Sequence, residues 1–279
     1  MGLAIKETIV AGNLIFNKVT TKKKNRLKGG RKKKFQPTSI SVEKLNQYYS
    51  EKDLNIKLHH NFKPGDLHIV FTYSGKEPTK EEAKKKLKKL KRDLAKLYKK
   101  HGQVLKWIEA TEYENKRIHH HMVISYIEPS LIQEIWQSGY IRSSYLDHTG
   151  DWRKLSSYII KETSKTFRLD EGFSKKRFRC SRTIANPNVK IEEVSTLQLI
   201  EPRATRGYYI DKNSIFQGVN PETNKPYVEF IQISLAQPLA AYRKGRKRKY
   251  KKEHVKNIEA QLNIDYSAYF EMEKNIERM

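Results

Sequence analysis

The stretch RIHHHMVI at residues 117–124 guides the interpretation of the whole sequence. Its β-branched and apolar residues favour a strand. Because side chains alternate between the two faces of a strand, His119 and His121 share one face, and His120 lies on the other face with the apolar residues. Two imidazoles on one face can bind a single metal ion. The alternative is a chance cluster of three polar residues, and the stretch alone does not separate the two.

A carboxylate would complete such a metal site, and two acidic residues compete for the role. Residues 104–111 predict the preceding strand, and Glu112 follows at its end, so a hairpin would bring Glu112 beside the histidines. Glu109 is the rival, and strand alternation, which puts the two acids on opposite faces, does not decide between them. We prefer Glu112 for its place at the strand end, and an ordinary surface acid is the alternative for either. Two imidazoles and one carboxylate with open positions suit Mg²⁺ or Mn²⁺.

A second feature is SYIIKE at residues 157–162, within a helix predicted over residues 152–167. Tyr158 and Lys161 lie on one helical face, and Lys165 lies two turns from Tyr158 on the same side. A free phenol, with a pKa of about 10, is a poor nucleophile at neutral pH, and a nearby ammonium group favours the phenolate. An isolated YxxK pattern is common, and its ordinary explanation is a packed tyrosine beside a solvated lysine.

The order of elements around these two features predicts an α+β domain. A strand is predicted at residues 67–73, and the spacing of Thr79 and Glu82 is that of a capping box at the start of a helix. The further predicted elements are strands at 104–111, 118–126 and 140–146, helices at 129–137 and 152–167, and weaker strands at 189–200 and 227–235. We expect an antiparallel sheet of about five strands with helices on one face and the other face open.

The chain is strongly basic, with 57 Lys and Arg against 31 Asp and Glu and a formal net charge of +26 in 279 residues. Such a charge opposes compaction and indicates a polyanionic partner, of which nucleic acid is the expected one. Two basic runs at residues 22–34 and 243–252 are interpreted as phosphate contacts, with solvated tails as the alternative. The residues assigned to DNA contact are Arg117, Lys165, Lys22, Lys23, Lys24, Arg31, Lys32, Lys33, Lys34, Arg243, Lys244, Arg246, Lys247 and Arg248.

Other features limit the class of protein. Cys180 is the single cysteine, which excludes an internal disulfide or a cysteine-based zinc site and suits a reducing cytosol. No apolar run is long enough to span a membrane, and the first residues lack a secretory or myristoylation pattern, so we expect a soluble, cytoplasmic protein. The sequence contains no GxxxxGK[ST] loop, and strand opening would therefore depend on a host helicase.

The combination of motifs is more informative than each motif alone. An apolar strand ending in Thr72-Tyr73, then a His-x-His strand, then a YxxK helix resembles the HUH endonuclease superfamily. A tyrosine downstream of the histidines is similar to the single-tyrosine rolling-circle replication initiators of small bacterial phages and plasmids, including the filamentous-phage-like group. The segment Arg177–Arg182, followed by Pro187, resembles a stretch after the catalytic helix of those proteins. The resemblance covers residues 65–235.

This resemblance implies a ferredoxin-like HUH palm and a metal-dependent endonuclease that nicks single-stranded origin DNA. Attack by a tyrosine would leave a free 3′-hydroxyl and a 5′-phosphotyrosine, and a later 3′-hydroxyl could reverse the step. The roles that the resemblance assigns are metal ligation for His119, His121 and Glu112, nucleophilic attack for Tyr158, and positioning or activation for Lys161. The implied partners are single-stranded or hairpin origin DNA, a host helicase and a host polymerase.

Two points depart from the simplest form of the resemblance. The residue between the ligand histidines is usually apolar, and here it is His120. Either His120 is buried and hydrogen-bonded, or the ligand pair is a different one. No second tyrosine is spaced for a paired-tyrosine site, so termination would need a second copy of the chain, as in a homodimer, or an activated water.

Several alternatives stay open at this point. The segments expected are a basic N-terminal extension at residues 1–60, an endonuclease domain with a C-terminal elaboration at residues 61–235, and a basic tail at residues 236–279. The first 60 residues could pack on the core through Ile9, Leu14 and Ile15, or fold only with a partner. The alternative functions are a single-tyrosine transposase or relaxase, which shares the chemistry, and a non-catalytic basic nucleic-acid-binding protein.

Overall fold

The computed structural model describes residues 3–21, 40–113, 117–166, 176–220 and 225–236, and these form an α+β fold, as predicted. The strands are β1 (Leu3–Ala11), β2 (Leu14–Thr21), β3 (Leu67–Phe71), β4 (Trp107–Glu112), β5 (His119–Ile124), β6 (Ile141–Tyr145), β7 (Arg179–Cys180), β8 (Val189–Ser195), β9 (Tyr208–Ile210), β10 (Phe216–Asn220) and β11 (Lys225–Ser234). The helices are α1 (Ile40–Asn61), α2 (Lys80–Lys100), α3 (Pro129–Ile135) and α4 (Arg153–Thr166), with short 3₁₀ helices at Thr196–Leu199 and Lys212–Ser214.

The central sheet has five antiparallel strands in the order β6-β3-β5-β4-β7. Leu67, Ile69 and Phe71 of β3 are fully buried on one face, where α2 and α3 cover them. Met122 and Ile124 of β5 extend the same core. The alternation of β3 thus sets one apolar face, and its even-numbered residues project to the other side.

Helix α2 begins as the sequence predicts. The Thr79 side chain accepts a hydrogen bond from the Glu82 backbone at 3.2 Å, and the Glu82 carboxylate accepts one from the Thr79 backbone at 2.8 Å. These reciprocal bonds satisfy backbone groups that a helix start otherwise leaves exposed. The apolar stripe that α2 buries against the sheet consists of Ala83, Leu87, Leu90, Leu94 and Tyr98.

The prediction that helices cover one face only is wrong, because α1 and α4 cover the second face of the central sheet. Ile108 of β4 and Val123 of β5 pack there against Leu54 and Leu58 of α1 and Ile160 of α4. The sequence does not reveal α1 because its apolar residues lie on more than one side of the helix. A helix buried on two sides lacks the single stripe by which amphipathic helices are found.

The second contact of α1 is with another antiparallel sheet, which the sequence did not predict. Its strands lie in the order β10-β11-β2-β1-β8, and β9 pairs with β11. Ile56 of α1 packs there against Leu14 and Phe16, and Ile9 lies beside them. Ile15 is also buried. Residues 3–21 therefore pack against the rest of the fold, which is the first of the two alternatives for the N-terminal segment. The domain boundary expected at residue 60 stays a prediction.

Some predicted segments lie outside the described residues, and one predicted strand is shorter than expected. The basic runs at residues 22–34 and 243–252 lie outside it. The strand predicted over residues 189–200 ends at Ser195, where the Ser195 side chain caps a 3₁₀ turn by accepting a bond from the Leu197 backbone at 3.3 Å. None of the helices in the described ranges has both the length and the apolar character needed to cross a membrane.

Candidate functional site

The hairpin of β4 and β5 brings three candidate ligands to one face of the central sheet. Glu112 pairs directly with His119 across the hairpin, and Ala110 pairs with His121. Directly opposed residues of antiparallel strands project to the same side, so Glu112, His119 and His121 share a face. This is the face that α1 and α4 partly cover, with Val123 next along β5 packed into their core.

The three side chains converge closely enough to hold one metal ion. The Oε2 atom of Glu112 lies 2.9 Å from Nε2 of His119 and 3.5 Å from Nε2 of His121. One ligand atom from each residue lies within 4.8 Å of the others. Glu112 and His121 are buried, with 2% and 4% of their surface exposed, and His119 is partly exposed. The site is therefore accessible from the side of His119.

The hydrogen bonds of the imidazoles make this donor set suitable for a cation. Nδ1 of His119 lies 2.9 Å from the backbone oxygen of Arg117, and because a carbonyl oxygen only accepts, Nδ1 carries the hydrogen. In a neutral ring the lone pair is then on Nε2, which faces the Glu112 carboxylate. A lone pair and a carboxylate repel one another, and a divalent cation between them removes that repulsion. Two imidazole nitrogens and a carboxylate oxygen form a ligand set that fits a divalent metal ion.

The protonation of His121 favours the same role. Burial lowers the pKa of His121 below its ordinary value of 6.5, against the opposing effect of its hydrogen bond with Glu112. The ring is therefore neutral at pH 7. Since a metal ion binds the neutral imidazole, His121 needs to lose no proton before it can act as a ligand.

Glu109, the rival carboxylate, lies on the opposite face of the sheet. It pairs with Met122 in the hairpin and is buried, with 2% exposure. Its carboxylate forms an ion pair of 2.8 Å with the Lys91 ammonium group of α2. Glu109 thus pairs with a half-buried lysine and does not belong to the cluster of Glu112 and the two histidines.

His120 is buried and hydrogen-bonded, which is the first of the two alternatives left open by the sequence. Its Nε2 lies 2.8 Å from the Tyr73 hydroxyl, and its Nδ1 lies 2.8 Å from the Thr111 hydroxyl. Burial lowers the pKa of His120 to about 3, so the ring is neutral and one nitrogen donates while the other accepts. His120 takes the place of an apolar core residue, and the pair His119 and His121 keeps its position.

Tyr158 of α4 lies beside this cluster. Its ring centroid is 5.4 Å from that of His121, and the two rings are nearly perpendicular, at 81°. The next two residues of the helix, Ile159 and Ile160, are buried in the core on this face of the sheet. Their burial fixes the rotation of α4, so that the half-buried Tyr158 ring faces β5. A phenol and three potential metal ligands therefore meet at one place.

Comparison with known families finds one match, and it covers this part of the chain. Residues 66–167 match the family model of the replication-associated protein ORF2/G2P. Comparison with curated proteins and with solved structures found no match. The match runs from the start of β3 to the end of α4, so it includes Glu112, both histidines and Tyr158. It confirms the predicted resemblance to replication initiators, and the part of that resemblance beyond residue 167 stays a prediction.

The other predicted site residues of the matched segment lie outside the cluster. Lys161 is exposed on α4, and the side chain of Lys165 lies outside the described residues. Arg117 is exposed and donates a hydrogen bond to the backbone oxygen of Gly75. The roles of these residues, and of both basic runs, stay predictions.

Two residues near the cluster escaped the sequence analysis. His68 of β3 lies 3.2 Å from His121, measured from Nε2 of His68 to Nδ1 of His121. Glu162, one helical turn after Tyr158, is buried and its charge acts on His121. Strand alternation was sufficient to place His68 on the face opposite Ile69. What the sequence could not supply was the pairing of β3 with β5, which sets His68 beside the histidine pair.

Proposed function

We propose that this protein is a rolling-circle replication initiator that nicks and rejoins single-stranded origin DNA. The observation that supports this proposal most directly is the 5.4 Å separation between the rings of Tyr158 and His121 at the cluster of Glu112 and two histidines. A nucleophile that must attack a phosphate beside a metal ion needs this proximity. The match to the replication-associated family supplies the biological context.

In the proposed reaction, the phenolic oxygen of Tyr158 attacks the scissile phosphorus. A bond from that oxygen to phosphorus forms, the bond from phosphorus to the 3′ oxygen breaks, and the 3′ oxygen gains a proton while the phenol loses one. The product is a 5′-phosphotyrosine and a free 3′-hydroxyl. Because the bond to tyrosine replaces one phosphodiester by another, a 3′-hydroxyl can reverse the step and close a circle.

The residues of the chain divide this work. Glu112, His119 and His121 would hold Mg²⁺ or Mn²⁺, which would polarise the scissile phosphate. The two imidazoles would bind it as neutral ligands, and the carboxylate would offset part of the cationic charge. Helix α4 carries Tyr158 and is fixed to α1 by hydrogen bonds from Ser156 to Asn55 and from Ser157 to Glu51. The phenol is thereby held in place before substrate binds, which lowers the entropic cost of attack.

Further parts of the proposal concern charge and partners. Lys161 would favour the phenolate or contact the phosphate, and Arg117, Lys165 and the basic runs would bind the DNA backbone. A host helicase and polymerase would open and copy the strand, since the sequence has no phosphate-binding loop of its own. Termination would use a second copy of the chain or an activated water.

Two other functions are compatible with some of these observations. A single-tyrosine transposase or relaxase would use the same cluster and nucleophile, and only the DNA that is recognised separates it from an initiator. A non-catalytic nucleic-acid-binding protein would explain the charge of +26. It would not explain why two imidazoles and a carboxylate converge beside a tyrosine.

The test is covalent attachment to DNA. The full-length protein is incubated with Mn²⁺ or Mg²⁺ and single-stranded oligonucleotides that tile the replicon encoding it, and the products are separated on a denaturing gel. The proposal expects a protein–DNA adduct that Tyr158→Phe abolishes and Tyr140→Phe retains, because Tyr140 is exposed at 73% and lies before β6. An adduct of equal yield from Tyr158→Phe would contradict the role of Tyr158.

A further inference from the structure

His68 lies beside the ligand His121, on the side of its ring away from the carboxylate. Its Nε2 is 3.2 Å from Nδ1 of His121, whereas Nε2 of His121 faces Glu112 at 3.5 Å. The two rings are nearly parallel, at 8°, with centroids 5.5 Å apart. His68 therefore contacts the nitrogen of His121 that lies away from Glu112.

The position of His68 follows from the pairing of the strands. Val70 pairs with His121 and His68 pairs with Val123, so His68 is one step along the same face of the sheet. Leu67 and Ile69, on either side of it, are fully buried on the other face. Since the buried residues on both sides of His68 fix the alternation of β3, the His68 ring cannot leave this face without a shift of the whole strand.

The hydrogen bonds around His68 form a chain with a consistent direction. If Nε2 of His121 is the metal-binding atom, its Nδ1 carries the hydrogen and donates to Nε2 of His68. Nδ1 of His68 then carries a hydrogen and lies 3.5 Å from the hydroxyl oxygen of Ser144, on the neighbouring strand β6. The Ser144 hydroxyl donates in turn to the backbone oxygen of His68 at 3.4 Å. Each group in the chain has one donor and one acceptor in use.

We propose that His68 is a positioning residue that fixes the tautomer and orientation of the ligand His121. This inference rests on the proposed metal site and extends it to a residue that contacts no metal itself. Accepting the Nδ1 hydrogen keeps the lone pair of His121 on Nε2 and makes that nitrogen a better donor to the metal. Partners of this kind typically change metal affinity by about 10- to 100-fold.

Nδ1 of His119 also has a hydrogen-bond acceptor, but this acceptor belongs to the backbone. The acceptor beside His121 is a side chain, so its role can be tested by substitution. The Nδ1 hydrogen of His119 is held by a backbone oxygen, that of Arg117, which no substitution removes. The Nδ1 hydrogen of His121 is held by a side chain, and a substitution can remove or replace the acceptor. A glutamine at position 68 still offers a carbonyl oxygen, and a phenylalanine of similar ring size offers none.

The experiment measures Mn²⁺ binding to the full-length protein from the loss of the free-ion signal in electron paramagnetic resonance. His68→Phe should raise the Kd about 10- to 100-fold, and His68→Gln should restore most of the affinity. His60→Gln, a change at an exposed histidine of α1, should leave the Kd unchanged. Thermal unfolding in EDTA should show one cooperative transition for the wild type and for both variants at position 68, which establishes that each variant folds. If His68→Phe does not fold, His68→Leu takes its place as the variant without an acceptor.

The outcomes separate this inference from the proposed function. His121→Ala should abolish strong Mn²⁺ binding. If it does so while His68→Phe binds as tightly as the wild type, the metal site stands and the role of His68 is wrong. Equal loss of affinity in His68→Phe and His68→Gln also overturns that role, because acceptance of a hydrogen bond would then be irrelevant. If His121→Ala binds Mn²⁺ normally, the metal site itself is wrong.

Discussion

Glu112 and His119 face one another across the β4–β5 hairpin, with Oε2 of the carboxylate 2.9 Å from Nε2 of the imidazole. Since Nδ1 of His119 is committed to a backbone oxygen, this short contact joins an acceptor nitrogen and a carboxylate unless a proton or a cation lies between them. A bound cation would therefore remove more repulsion at this pair than at the longer contact of 3.5 Å between Glu112 and His121.

The first prediction compares the two rival carboxylates. Glu112→Gln should weaken Mn²⁺ binding by at least about tenfold, because a charged ligand becomes a neutral one. Glu109→Gln should leave Mn²⁺ affinity unchanged and lower the free energy of unfolding by about 1–3 kcal/mol, since Lys91 loses its partner. Calorimetric titration and urea denaturation measure the two effects. If only Glu109→Gln weakened Mn²⁺ binding, the third ligand would be Glu109 and the assignment to Glu112 would be wrong.

The second prediction concerns the buried His120. Tyr73→Phe removes the hydroxyl 2.8 Å from Nε2 of His120 and should cost about 1–3 kcal/mol of unfolding free energy. Mn²⁺ affinity should stay at the wild-type value, because His120 projects away from the ligand face. Urea denaturation gives the stability, and the same metal titration gives the affinity. A loss of affinity as large as that of His121→Ala would mean that His120 takes part in metal binding.

The sequence predicts the features of this site that depend on local patterns, and it does not predict those that depend on contacts between distant segments. Period-two alternation in residues 119–124 separates the ligand pair from His120, and the capping box at Thr79 gives the start of α2. The pairing of β3 with β5 depends on contacts between segments about 50 residues apart, and no local pattern encodes them. The resemblance to HUH endonucleases joins Tyr158 to the histidines, and no pattern in the sequence joins His68 to them.

The second sheet was missed for a related reason. β1 and β2 lie at the start of the chain, and their partners β8 and β11 come from residues 189–195 and 225–234. Each strand alone has a weak signal, and only their assembly on α1 buries Leu14 and Phe16. Because the apolar residues of α1 contact two sheets, neither contact is visible as a single stripe.

The third prediction concerns the pH dependence of stability. Burial acts to raise the pKa of the Glu229 carboxyl, but the ammonium groups of Lys52 and Lys18, at 2.6 and 2.7 Å, lower it below its ordinary value of 4.5. A carboxyl whose pKa is lowered in the folded state stabilises the protein above its unfolded pKa, and this contribution is lost as the pH falls through the folded value. The free energy of unfolding should therefore decrease below about pH 4.5.

The variant Glu229→Gln isolates this contribution. At pH 7 it should be less stable than the wild type, because two lysines lose a buried partner, and the difference should shrink as the pH is lowered toward 3. Glu201→Gln, at an exposed position, is the matched control. Urea denaturation across this pH range gives both curves. A difference that stays constant with pH would show that the Glu229 charge does not account for the effect.

The fourth prediction concerns the C-terminal basic run. Deletion of residues 243–279 should weaken binding to single-stranded DNA and flatten its salt dependence, by about 0.7 log units per log salt for each lost phosphate contact. Cleavage of a short oligonucleotide at saturating concentration should be nearly unchanged, because residues 243–279 lie outside the segment 66–167 that carries the proposed site. Fluorescence anisotropy at several salt concentrations gives the slope. An unchanged slope would favour a solvated tail.

The fifth prediction concerns the chemistry of Tyr158. Tyr158→Phe should reduce the rate of strand cleavage by about a thousandfold or more, since a residue that forms the covalent bond has no substitute. Mn²⁺ affinity should be retained, because the phenol is not among the three ligands. Quantified cleavage of a labelled oligonucleotide checks the rate. Cleavage at the wild-type rate would leave the tyrosine as a packing residue of α4.

The most direct test of the central claim is the identity of the residue that becomes linked to DNA. After reaction with an origin-derived single strand and Mn²⁺, the protein is treated with nuclease and protease, and the peptides are sequenced by tandem mass spectrometry. We predict a nucleotide bound through its 5′-phosphate to the peptide that contains Tyr158, with no such mass on other tyrosines. A cleaved strand with the nucleotide on another residue, or on none, would contradict the assignment of Tyr158 as the nucleophile.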